Sequence, residues 1–294
     1  MRIVYSILHF QSYEMTVKCV ESILNVNHEN LEYYVLIIDN GSKNDSGRSL
    51  VEKYNGTNNI IVKLNPINEG FARGNNHGYK LAREELKADI VIVMNNDVII
   101  EDNNFCKKVV DLVNKFPTID IFAPDIINKE GQHQNPVGTT SISMNKLMFV
   151  FLYSLFLQIV MRINGINNAF LYYLKKRHLH KKKVLIQNQL YKNQYLENIV
   201  PHGAIIIYSN RYLRQEKMAF NPNTFLYCEE DLLFDYLQRK NYQSMYSNTI
   251  CVKHLEDIAT NEYTKNEIKK KLFMSRHKLK SCLIVFYSRL RYKI

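Results

Sequence analysis

The sequence predicts an α/β protein built on a doubly wound, mostly parallel sheet, and three observations lead there. Over the first 125 residues, short apolar runs alternate with segments of helical spacing, as a sheet covered by helices on both faces requires. Runs such as "ADIVIVM" are continuously apolar, the mark of strands buried on both sides. The chain has 294 residues, 46% hydrophobic and 23% charged, so it can bury a full core.

The elements follow in order. "RIVYSIL" is a first strand; its apolar run is too short for a signal peptide, and His9 interrupts it. Residues 13–26 have helical spacing through Val17, Val20, Ile23 and Leu24. "YYVLIID" is a strand and 45–54 a short helix; "NIIVKLN" is a strand and 70–86 a helix. "DIVIVMN", a helix over 103–116 and the strand "DIFAPDI" complete the alternation. The five cysteines show no CxxC pair and no metal-ligand spacing, which fits buried thiols in a reducing compartment.

In such sheets ligands bind beyond the carboxyl ends of the strands. Those ends read His9-Phe10-Gln11, Asp39-Asn40-Gly41-Ser42, the stretch 65–70, and Asn95-Asn96-Asp97. Asn-Gly and Asp-Asn make turns unaided, but four polar ends at one height make a site. His9, Asn68, Asn76 and Asn96 are expected to touch substrate there. Asp39 offers acceptors to a ribose or base edge. In "NEGFARGNN", Gly70 and Gly74 allow close backbone approach at a helix start, where free N–H groups attract anions, and Arg73 adds a fixed charge.

The formal charge of +11 is unevenly spread. Residues 139–200 hold nine Lys/Arg and one Glu, and 264–294 hold ten and one, so the rest of the chain carries −6. The body alone does not suggest nucleic acid, and neither basic segment contains a nucleic-acid motif. From 147 to 161 the chain is apolar except for Ser154 and Gln158. Such a helix is about 22 Å long by helical rise, short of a hydrocarbon core of roughly 30 Å, so it does not cross a membrane; it either lies in the membrane interface or packs on the body as core. The basic cluster "YYLKKRHLHKKK" follows. In the C-terminal segment Leu272, Leu279, Leu283, Phe286 and Leu290 share a helical face. Four segments result: 1–138 is the ligand-binding half, 139–200 is an apolar and basic helical insertion, 201–263 is the other half of the same domain, and 264–294 is a basic amphipathic tail.

"IIDNGSKND", "NEGFARGNNHGY" and "MNNDV", in this order on successive strands, resemble the family 2 glycosyltransferases with the Rossmann-like glycosyltransferase A fold, among them bacterial rhamnosyltransferase-like enzymes. "NTFLYCEEDLL" and "ICVKH" extend the likeness to about residue 254. The resemblance implies a nucleoside-diphosphate sugar on the rim, with Asp39 at the nucleoside. It implies that Asp97, in an element where Asn95 replaces the first acid, holds Mg²⁺ or Mn²⁺ against the diphosphate, with His254 as a further ligand. It makes one acid of "CEED" the general base. Glu230 has the family's distance from "FLY", and Asp231 has its residue type. Asp231, shorter and stiffer, is preferred, with Glu230 second. Arg276 would neutralise the leaving diphosphate.

The sequence thus predicts an inverting, metal-dependent glycosyltransferase on the cytoplasmic face of a cell membrane. Its acceptor is expected to be a glycan or a lipid-linked glycan of a surface polysaccharide, and the basic segments are expected to meet anionic lipid. The alternative is a catalytically silent sugar-nucleotide-binding scaffold at the membrane.

Overall fold

The structure, a computed structural model, describes residues 1–163, 165–180, 189–255 and 266–292. Residues 181–183 of the basic cluster, and the boundary expected at 263/264, lie outside them.

The expected alternation is present. Strands β1 (Arg2–His9), β2 (Glu32–Asp39), β3 (Ile60–Leu64) and β4 (Ile90–Asn95) are parallel in the order β3-β2-β1-β4. Alternate side chains of each strand face opposite layers. Ile3, Tyr5 and Ile7 pack with Val17, Val20, Leu50, Phe105 and Val109 from helices α1 (Tyr13–Leu24), α2 (Ser46–Lys53) and α4 (Phe105–Lys115). Val4, Leu36 and Ile38 pack with Ala72 and Tyr79 from α3 (Gly70–Glu84), with Tyr212 from α7 (Asn210–Gln215), and with Leu233 and Leu237 from α8 (Glu229–Lys240). Both faces are therefore covered, which is why these strands carry continuous apolar runs.

The second half of the sheet adds what periodicity alone did not reveal. Strand β8 (Ile205–Tyr208) enters antiparallel between β4 and β6 (Ile121–Asn128). Strand β9 (Ser244–His254) then runs parallel to β6 and carries two short antiparallel partners, β5 (Val98–Ile99) and β7 (Tyr195–Glu197). The β5 pairing sets Val98 opposite His254, which carries the late histidine back to the end of β4.

Three helices stand beside this body: α5 (Met144–Val160), α6 (Ile166–His180) and α9 (Glu267–Tyr292). Leu147 of α5, Leu232 of α8, and Cys282 and Val285 of α9 form one apolar cluster. The two polar interruptions of α5 face inward, where Gln158 Nε2 donates to Leu272 O at 2.7 Å and to Ser275 Oγ at 2.6 Å. The stripe expected to define α9 is not the one it buries. Ser275, Ser281, Cys282, Val285 and Arg289 face the body, while Leu283 and Leu290 are exposed. The cause is Arg289. Its Nε donates to Asp235 Oδ2 of α8 at 2.7 Å, Nη1 to Ile142 O at 2.6 Å, and Nη2 to Ser141 Oγ at 2.8 Å. A buried ion pair so fully bonded fixes the rotation of α9, since turning it outward would strand Asp235 without its countercharge.

Candidate active site

The strand ends meet side by side: His9 is in register with Asp39, and Leu8 with Asn95. His9 is fully buried, with Nδ1 2.7 Å from Thr16 Oγ1 and Nε2 2.8 Å from Ser46 Oγ. Burial lowers its pKa to about 4, so the ring is neutral. It therefore packs behind the rim, with no surface exposed. Asp39 sits in front of it, with Oδ1 3.9 Å from His9 Nε2 and its carboxylate accepting from Ser42 N at 3.2 and 3.3 Å. Burial raises the Asp39 pKa against the opposing pull of Ser42. A carboxylate short of donors in this position is suited to hydroxyl or base N–H groups from a ligand. Asn96 likewise turns away from the cleft, its Nδ2 donating to Thr16 Oγ1 at 2.9 Å.

The start of α3 does a different job from the one expected. Asn40 Nδ2 donates to Asn68 Oδ1 at 3.1 Å and to Gly70 O at 3.0 Å, while its Oδ1 accepts from Glu69 N. Asn68 Oδ1 also takes Gly70 N at 2.8 Å. Gly70 has φ +85°, and a Cβ there would strike Phe225 O, which already accepts from Phe71 N at 2.7 Å. A Cβ at Gly74 would lie 2.6 Å from Leu8 Cδ1, and one at Gly78 would meet Ser6 Oγ. These glycines let α3 press against the sheet and the 220–225 segment, so they are not an open cradle for an anion. Arg73 Nε donates to Pro222 O at 2.9 Å, and Asn76 bonds both Ala219 N and Phe220 N at 2.9 Å. Asn68, Gly70, Arg73 and Asn76 thus hold the frame together in this structure.

The groups left open gather around Asp97. Its Oδ1 is buried without a hydrogen bond and lies 3.2 Å from His254 Nε2. His254 Nδ1 is 2.8 Å from Gln134 Oε1. The His254 ring thus bridges the Gln134 amide and the Asp97 carboxylate. A carboxylate and an imidazole side by side, the ring oriented from its far nitrogen by a polar side chain, suit a shared cation. Among the described residues no group of three or more His, Cys, Asp or Glu forms, so a cation held by this pair would need its remaining oxygens from elsewhere.

From His254 a line of contacts leads to the acids. The His202 ring lies 5.6 Å from that of His254, and the next residue, Gly203, donates its N–H to Glu230 Oε1 at 3.2 Å. A Cβ at 203 would sit 2.8 Å from that oxygen, so the glycine makes room for Glu230. Gln134 and His202 were missed from sequence; the only trace was Pro201-His202-Gly203 ahead of the apolar "AIIIY".

The three acids open α8 after two residues with positive φ, Tyr227 (76°) and Cys228 (64°). Glu229 is buried, its Oε1 has no hydrogen bond, and its pKa is raised to about 8 by burial first and Glu230 second. Asp231, preferred as base from its residue type, turns toward the insertion, where Oδ1 accepts from Ile142 N at 2.6 Å. Burial raises its pKa as well, but that hydrogen bond ties it to the strap beneath Arg289 and not to the cleft. Of the acids in this run, Glu230 is the one bonded to the His202–Gly203 side. Arg276 is exposed on α9, and the inward ring beside it is His277, stacked on Phe225 at 4.4 Å.

Comparison with known proteins agrees with this architecture. The model of "Glycosyl transferase family 2" matches residues 7–170, more than half of the chain. Among solved structures, residues 1–349 of S. aureus TarS superpose with a TM-score of 0.52 at 12% identity, covering 89% of this chain and 61% of that one. The same fragment in complex with UDP-GlcNAc gives 0.53 at 13% identity, covering 87% and 59%. This chain covers 37% of the longer TarS structure. No curated protein is a significant match to the sequence. Similarity at this level of identity speaks for the fold, and the extent of the family match decides membership: the chain belongs to glycosyl transferase family 2.

Proposed function

We propose that the protein is an inverting glycosyltransferase that moves a sugar from a nucleoside diphosphate to an acceptor hydroxyl on a glycan or lipid-linked glycan, in surface-polysaccharide synthesis at the cytoplasmic face of the membrane. The observation that carries this reading is the line of contacts that joins Asp97 to His254 and, through His202–Gly203, to Glu230, on the same sheet whose strand β2 ends in Asp39. A TarS structure holding UDP-GlcNAc supports a nucleotide-sugar donor by analogy of fold.

In this reading Asp39 accepts hydrogen bonds from the nucleoside. Glu230, and not Asp231, takes the proton from the acceptor hydroxyl as that oxygen attacks the anomeric carbon from the face opposite the departing diphosphate. Burial holds Glu229 neutral at physiological pH, which spares Glu230 a second negative charge beside it. Asp97 and His254 would hold a Mn²⁺ or Mg²⁺ ion, whose charge offsets that of the leaving group when it is bound; the imidazole favours Mn²⁺.

The test reads binding as well as turnover. Mn²⁺ together with UDP, GDP or dTDP should raise the unfolding temperature of the wild type, and a sugar donor should yield free nucleoside diphosphate. Asp97→Asn should lose both effects while its metal-free unfolding temperature stays unchanged. Full activity of Asp97→Asn, or full activity in EDTA, would refute the metal role. Donor binding with no turnover under any acceptor would favour the silent scaffold.

A further inference from the structure

Helix α5 shows solvent an apolar surface that no other described residue covers. It buries only Leu147, Ser154, Leu157 and Gln158, and it carries no charge from 147 to 161. Phe149 is 68% exposed, Leu152 55% and Ile159 56%. The exposure is contiguous across two helices. Ring contacts run from Phe149 to Tyr153 at 6.2 Å, to Phe156 at 6.5 Å, to Phe170 of α6 at 5.6 Å, and on to Tyr173 at 6.5 Å. A connected aromatic strip of this kind marks an interaction surface.

We propose that the α5–α6 face is the lipid-facing surface of the protein, lying flat in the interface of an anionic bilayer, with the aromatic strip at the acyl boundary and the flanking basic residues among the headgroups. Charge selects this occupant. Lys146 and Arg162, both exposed, bracket the apolar stretch, and residues 139–173 contain no acid. A second copy seated on this face would bring Lys146 and Arg162 against their own counterparts, whereas anionic lipid complements them. Length selects the orientation. The 17 residues of α5 span only about 25 Å by helical rise, and no helix among the described residues is long and apolar enough to cross a membrane. Such a helix rests in the interface plane. Its polar side is already committed, because Gln158 binds α9 and Arg289 of α9 binds Asp235 of the acid-bearing helix α8. Lipid contact at α5 would therefore set the height and tilt of the cleft above the bilayer. The inference rests on the proposed membrane acceptor for its purpose, but its test does not depend on turnover.

The full chain is floated with vesicles of neutral phosphatidylcholine and with vesicles containing roughly a third phosphatidylglycerol, for the wild type, for Phe149→Glu/Phe156→Glu and for Lys146→Glu/Arg162→Glu. All four positions are accessible, and unchanged unfolding temperatures verify the fold. The wild type should float with anionic vesicles and be partly released by salt. Each double variant should bind at least about tenfold more weakly. A wild type that does not float, or a Phe149→Glu/Phe156→Glu protein that floats as well as it, would overturn the proposal. So would a wild-type dimer that this variant dissociates without any vesicle binding, which would assign the face to a second copy. Labelling of cysteines introduced at the two ends of α5 from opposite sides of the bilayer would overturn the flat orientation. Flotation as expected with no release of nucleoside diphosphate would leave the surface standing and remove the enzymatic reading.

Discussion

Two helix starts open onto the same rim, and they are built oppositely. At the start of α3 the polar side chains have been spent on the fold: Asn40, Asn68, Arg73 and Asn76 bond backbone groups of neighbouring segments, and Gly70 is pressed against Phe225. At the start of α8 three acids follow one another, and they divide. Asp231 clamps Ile142, Glu229 is buried with an oxygen left without a hydrogen bond, and Glu230 meets Gly203 on the cleft side. Saturated hydrogen bonding marks a frame, while unsatisfied or strained groups mark where a ligand completes the structure. On the proposed reading the chemistry lies with Asp97, His254 and Glu230, and α3 frames the rim, although Asn75 Oδ1 of α3 is also buried without a hydrogen bond.

The sharpest way to break this contrast is at Gly70. If α3 is frame, Gly70→Ala forces a side chain into left-handed backbone and into Phe225, costing about 3 kcal/mol, most simply seen as a lower urea midpoint. An unchanged midpoint with weakened donor binding would return Gly70 to the ligand.

An effect of comparable size and opposite sign is expected at Glu229. Its folded pKa of about 8 stands above the ordinary 4.5, so its favourable share of stability is complete below pH 4.5 and is lost as pH rises through about 8. Glu229→Gln mimics the protonated form. It should leave stability unchanged at pH 4 and raise it at pH 8 by up to about 4 kcal/mol. A loss of stability at pH 8 would show that the carboxylate is paired after all.

The fold was legible because its first half repeats one signal: apolar strand, amphipathic helix, polar strand end. Strand β8 was not, because "AIIIY" is too short to separate from a buried helix by periodicity, and its antiparallel place between β4 and β6 depends on contacts distant in sequence. At the site, Asp39 and Asp97 could be placed from their positions at strand ends, and His254 from the family resemblance. The roles of Asn68, Gly70, Arg73 and Asn76 could not, since a glycine or an asparagine near a rim reads the same whether it bonds a ligand or a neighbouring loop. Among the acids the sequence left two candidates, Asp231 by residue type and Glu230 by spacing. One residue along α8 turns a side chain by about 100°, enough to send Asp231 to Ile142 and Glu230 to Gly203, and only packing sets the starting angle.

That choice is the central claim, and a paired substitution tests it most directly. Glu230→Gln and Asp231→Asn are compared for sugar transfer and donor binding in one assay. Glu230→Gln should lose transfer by roughly a hundredfold or more while still binding donor, the usual cost of removing a general base. Asp231→Asn keeps an acceptor for the Ile142 N–H and should transfer at close to the wild-type rate. Loss of transfer in Asp231→Asn at unchanged stability, with Glu230→Gln still active, would contradict the assignment.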